Sequence, residues 1–102
     1  MQIQLLYFDG CPHWTVMADR LREALELLDY PTTTERLPVE SQEEAERLQF
    51  GGSPSILLNG TDPFRSPNSD IGLSCRVYST PDGPSGSPTM EQLVGALRAE
   101  AR

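Results

Sequence analysis

Six residues near the N-terminus, Ile3-Gln-Leu-Leu-Tyr-Phe8, constrain the fold most. The run is short, nearly continuous in apolar residues and ended by Asp9-Gly10, as a strand buried on both faces would be. Such a strand needs covering layers on both sides, which points to an α/β architecture. The next segment supplies one of them. After Cys11-Pro12-His13, the residues Trp14, Met17, Leu21, Ala24, Leu25 and Leu28 form one helical stripe, with Asp19, Arg22, Glu23 and Glu26 elsewhere. Pro12 suits the first helical position, which would put Cys11 at or next to the N-cap. Pro31 ends the helix near Asp29 or Tyr30.

The rest of the chain alternates in the same way. Thr32 to Val39 reads as a second strand, at an edge because Pro38 would break an interior ladder. Ser41-Gln-Glu-Glu44 is a capping-box pattern that opens a short helix to about Gln49. Ser55 to Asn59 is a third strand, and Asn59-Gly60 a tight turn. Residues 61–73 read as a long loop, Ser74 to Thr80 as a fourth strand, and Pro81 to Pro88 as another loop. Thr89 caps a last helix with Met90, Leu93, Val94, Leu97 and Ala101 facing inward. The expected order is βαβ-α-ββ-α: one domain over residues 1–102, with helices on both faces of a four-stranded mixed sheet. Its third and fourth strands should pair antiparallel.

Composition excludes several functions. The chain has 15 acidic residues against 8 basic ones, all Arg, for a net charge of −7. Such a domain repels phosphate backbones and anionic lipids, so neither nucleic acid nor a membrane surface is an expected partner. No apolar run approaches the ~20 residues that span a bilayer, and no signal peptide is visible. A cytoplasmic domain is expected. Two cysteines 64 positions apart and a single histidine do not make a zinc site, and nothing calls for a cofactor.

The chemistry rests on Cys11. Free N–H groups and the positive end of a helix dipole favour a thiolate at a helix start, and the thiolate is the form that attacks disulfides, peroxides and soft metals. Asp9 pushes the other way. A small inert residue at the same place is the plainer alternative. Trp14, Tyr7 and Phe8 read as core. Asp62-Pro63-Phe64 and Arg65 read by default as a solvated turn, with a cover over the thiol site or a grip on an anionic substrate tail as the alternatives, and Glu40, Glu43, Glu44 and Glu46 as a solvated acidic face.

A strand, then Cys-Pro opening a helix, then βα-Pro-ββα, resembles the thioredoxin superfamily. Gly10, Cys11, Pro12, His13 and Trp14 stand at its active-site turn, and Ser53, Pro54 and Ser55 at its cis-proline loop, about 43 residues on. Tyr7 to Trp14, Gly52 to Phe64 and Cys75 to Tyr78 are similar to segments of small bacterial thioredoxin-like proteins, some of which carry selenocysteine at the first position. The resemblance implies that Cys11 is a redox nucleophile, that Ser53–Pro54 is cis, and that residues 53–55 pin a bound substrate as an extra strand. It also implies a disulfide-bearing protein or a low-molecular-weight thiol as partner. The partly apolar edge strand allows a weak dimer without requiring one, so a monomer or weak dimer is expected.

Trp14 stands where Cys-x-x-Cys would have its second sulfur, so a disulfide within the turn is impossible. Resolution by Cys75, resolution by a small thiol such as glutathione, or no turnover remain. On the expected strands, Cys75 lies roughly 13 Å along its strand from the active-site end. A disulfide needs Cα atoms within about 7 Å, so Cys75 reads as a buried strand residue. Two other functions compete with a redox enzyme. One is a non-catalytic binding module. The other is an organomercury lyase-like site, which would need Cys11, Cys75 and Asp9 or Asp70 to converge.

Overall fold

A computed structural model describes residues 1–65 and 71–101. The elements are β1 (Ile3–Tyr7), α1 (Trp14–Leu28), β2 (Thr34–Pro38), α2 (Gln42–Leu48), β3 (Ser55–Leu58), β4 (Tyr78–Thr80), β5 (Gly83–Ser85) and α3 (Met90–Glu100). β1 is the middle of a mixed sheet of order β2-β1-β3, parallel to β2 and antiparallel to β3. The central run therefore has a partner on each edge.

Its two faces feed separate cores. Ile3 and Leu5 join Ile56 and Leu58 against Met17, Leu21, Ala24 and Leu25 of α1 and Leu93 and Leu97 of α3. Leu6 points the other way and packs with Val39, Ala45 of α2 and Phe50. Helices thus cover both faces, two on one side and one on the other. Burying a side chain such as Leu5 or Ile56 contributes about 1.5–3 kcal/mol each, so this division organises the molecule.

Local signals explain where the elements stop. Asp29 and Gln49 end α1 and α2 in the left-handed conformation. There the next N–H, of Tyr30 or Phe50, turns back to the carbonyl of Leu25 or Ala45. Asn59 and Gly60 both have positive φ, as a two-residue hairpin turn requires. Ser41 accepts from the Glu44 N–H, and Thr89 and Gln92 form a reciprocal capping box. Ala101, expected on the inward stripe of α3, is exposed and caps the helix instead.

Three expectations need correction. The fourth strand is shorter than read from sequence and, among the described residues, pairs with β5 rather than with β3. The sheet around β1 is accordingly three-stranded, and the Pro81–Pro88 segment is half of a hairpin rather than a plain loop. Residues Ser74 to Arg76 instead meet the turn before β3, through a parallel bridge between Ser53 and Cys75. Third, α1 starts at Trp14 with His13 as N-cap and no side-chain cap, so Cys11 precedes the helix by three residues. The chain spends Cys11 to His13 on the turn itself: the Cys11 N–H reaches back to the Phe8 carbonyl at 3.1 Å.

Gly52 makes the approach of the 74–76 segment possible. Its φ is +112, and a Cβ there would lie 3.0 Å from the Arg76 Cβ and 3.3 Å from the Arg76 Cα. Gly52→Ala should therefore destabilise the fold by about 1–3 kcal/mol, read as a lower denaturant midpoint. An unchanged midpoint would mean that the segment does not press on this turn.

Candidate thiol site

Cys11 lies in the turn four residues past the end of β1 and turns its side chain inward. It has no exposed surface, and its Sγ donates to the Ser53 carbonyl at 3.3 Å. Around it, Gly10 is held under the Phe8 ring, where a Cβ would meet Phe8 Cε2 at 2.7 Å. His13 is exposed, with its ring against Gly86. Trp14 is half-buried, stacked on Tyr7 at 4.3 Å with the Arg36 guanidinium 5.6 Å from its ring. Trp14 thus fastens the start of α1 to the sheet.

Facing Cys11 is the Ser53–Pro54 turn, whose peptide bond is cis. Ser53, Pro54 and Ser55 are all buried, and their polar groups are engaged within the chain. The Ser53 N–H donates to the Ser74 carbonyl at 2.8 Å, and the Ser53 carbonyl accepts from the Arg76 N–H at 2.9 Å. Its hydroxyl accepts from the Phe8 N–H at 3.2 Å. The Tyr78 hydroxyl donates to the Pro54 carbonyl. Ser55 Oγ donates to the Gly52 carbonyl at 2.6 Å and accepts from Arg76 at 3.0 Å. The chain's own segment 74–76 lies along the backbone that sequence reasoning assigned to a substrate strand.

That segment carries the second sulfur. Cys75 is exposed, and its Sγ donates to Cys11 Sγ at 3.1 Å. The expectation of a distant, buried Cys75 is therefore overturned. The expected distance failed because it ran Ser74 to Thr80 as one strand beside β3. Residues 74–76 instead bridge to Ser53, which brings Cys75 against Cys11. Two sulfurs this close cannot both ionise readily. The Cys75 thiol is pushed up from its ordinary pKa, chiefly by the hydrogen bond it donates to Cys11, with burial and charge on Cys11 adding.

Sequence reasoning also missed what anchors the segment. Arg76 is buried and pairs with Asp62; both side chains are less than a tenth exposed. Its second terminal nitrogen donates to the Phe64 carbonyl. The guanidinium lies 4.6 Å from the Tyr78 ring, which meets Phe64 edge-on at 5.6 Å. Burial drives the Tyr78 hydroxyl well above the usual tyrosine range, against the opposing pull of Arg76. Asp62-Pro63-Phe64 is thus the clasp of the site rather than a solvated turn. Its signal in the sequence was the Arg76-x-Tyr78 pair, whose inward alternation with exposed Cys75 and Val77 has the period of an extended chain.

Asp9 is exposed, and Asp70 lies outside the described residues. Among the described residues no group of three His, Cys, Asp or Glu is placed to hold a metal ion, and no helix is long and apolar enough to cross a membrane. A groove of about 460 Å³ between α1 and β2 is lined by Ala18, Arg22, Tyr30, Thr32 and Arg36 among others. Neither cysteine nor the 53–55 turn borders it, so it is separate from the thiol site. Comparison of the chain with protein families, with curated proteins and with solved structures finds no match.

This geometry makes two outcomes testable. Asp62→Ala leaves the Arg76 charge buried without its partner and should cost about 3–5 kcal/mol. The double change Asp62→Leu with Arg76→Met should cost much less, and equal losses would deny the ion pair its role. Removing Cys11 removes the main cause that holds the proton on Cys75. In Cys11→Ala, the midpoint for Cys75 alkylation should therefore move to lower pH than in the unaltered protein. An unmoved midpoint would break the link between the two sulfurs.

Proposed function

We propose that the protein is a thiol–disulfide redox protein of thioredoxin-like type whose working pair is Cys11 and Cys75. The observation that carries this reading is the 3.1 Å separation of the two sulfurs. An S–S bond is about 2.05 Å long, so about 1 Å of approach closes it, within reach of a side-chain adjustment. The pair takes the place of the missing Cys-x-x-Cys.

The balance is that of thiol–disulfide exchange. The two thiols give up two electrons and two protons and become one disulfide, while a substrate disulfide becomes two thiols. The acidic surface disfavours nucleic acid and anionic lipid as partners. That leaves disulfide-bearing proteins and small thiol compounds as the substrate classes, in a cytoplasmic setting.

The same sulfur pair supports a second reading, that of a soft-metal or organomercury site, since thiolates are the preferred ligands of soft metals. That reading also needs a carboxylate. Asp9 is exposed, and the alternative, Asp70, lies outside the described residues.

Incubation with an oxidised dithiol tests the redox reading. The protein should lose two hydrogens in mass, both free thiols should disappear without dimer formation, and Cys11→Ser or Cys75→Ser should abolish the change. Two thiols that persist under this treatment would refute the reading. Release of a hydrocarbon from an organomercurial, with no disulfide turnover, would favour the second reading.

A further inference from the structure

We infer that the two cysteines divide the reaction in the reverse of the order their sequence positions suggest: Cys75 is the sulfur that bonds to substrate, and Cys11 the one that resolves the mixed disulfide. This inference rests on the proposed redox function and adds a direction to it. The helix-start cysteine is the natural choice of nucleophile from sequence. The structure places it with no exposed surface, between the Ser53 carbonyl and the sulfur of Cys75. Disulfide exchange needs the attacking sulfur in line with the bond it breaks, so a sulfur with no open side cannot receive a substrate.

Cys75 has that open side. It begins a stretch whose Arg76 and Tyr78 side chains are buried, while Cys75 and Val77, which alternate with them, are exposed. Leu73 is 39% and Val77 71% exposed, so exposed apolar residues stand two positions to either side of Cys75 in the chain. The segment is held by backbone bonds to Ser53 on one edge and by the Arg76–Asp62 pair beneath. Substrate therefore meets a sulfur whose backbone is already fixed.

Atoms and electrons balance over two exchanges. Cys75 gives its proton to solvent, and its thiolate attacks the substrate disulfide. A Cys75–substrate S–S bond forms, the substrate S–S bond breaks, and the first leaving thiolate takes up a proton. Cys11 then loses its proton and attacks Cys75 Sγ. The Cys11–Cys75 bond forms, the Cys75–substrate bond breaks, and the second substrate thiol leaves. Two protein thiols are oxidised and one substrate disulfide is reduced. The hydrogen bond from Cys75 to Cys11 marks the path of the second step, because it aligns the same two atoms. Holding the proton on Cys75 slows the first step at neutral pH, so substrate attack should quicken as pH rises.

An aromatic disulfide that releases a coloured thiolate tests the order, with intact mass and peptide mapping locating the adduct. The unaltered protein should release two equivalents and retain none. Cys11→Ser should release one and keep the aryl group on Cys75. Cys75→Ser should react at least about tenfold more slowly, its one remaining sulfur being shielded. Single-hit alkylation of the unaltered protein gives an independent measure, and the first label should map to Cys75. Circular dichroism confirms that each variant is folded. A first label on Cys11, or rapid capture of the aryl group by Cys11 in Cys75→Ser, overturns the order but leaves the redox pair standing. No adduct on either cysteine, with both titrating after denaturation, overturns the pair as well.

Discussion

The peptide of Ser53 is the point on which the site depends. Its N–H, carbonyl and hydroxyl together tie four places in the chain: Ser74, Arg76, Cys11 and Phe8. These groups are fully buried, and a buried polar group left without a partner costs about 1–3 kcal/mol. Each partner is therefore held in place by the cost of losing it. Two of the ties run to the backbone on either side of Cys75 and one to the sulfur of Cys11. The distance between the cysteines is set by a residue that carries neither.

The second constraint acts from below. A buried ion pair is poor evidence for stability, since desolvation can consume the attraction, but it is a demanding geometric requirement. Arg76 must meet Asp62, Ser55 and the Phe64 carbonyl together, and those groups come from both ends of β3. The residue next to Cys75 is thus locked to the turn after the strand as well as the turn before it. The segment occupies the backbone where an external strand was expected to bind and brings a sulfur of its own.

Local features of the sequence were readable because their causes are local. The α1 stripe from Trp14 to Leu28, the Ser41 and Thr89 caps and the Asn59-Gly60 turn all depend on spacing of a few residues, and all stand where the pattern placed them. The two faces of β1 were legible for the same reason. Cys75 was not, because its place depends on which backbone the 74–76 segment meets. Ser74 to Thr80 has the composition of a strand, and nothing in its spacing says that its start bridges to Ser53 rather than running along β3. Asp62 and Arg76 were obscured in a similar way: each is an ordinary surface residue type, and only their meeting makes either one structural. The start of α1 was misplaced by two residues because Pro12 fits a tight turn as well as a first helical turn.

One of the two outer strands of the sheet, β2, bears on how the molecule behaves in a crowd of its own copies. Among the described residues β2 pairs with β1 alone, so its other side is a row of backbone groups of the kind that nucleates fibrous stacking. Glu35 and Arg36 are exposed in it, and Pro38 withholds an N–H at its end. An incoming chain would meet two opposite charges and an interrupted donor row within five residues. This border of the sheet is thereby blunted against runaway self-pairing.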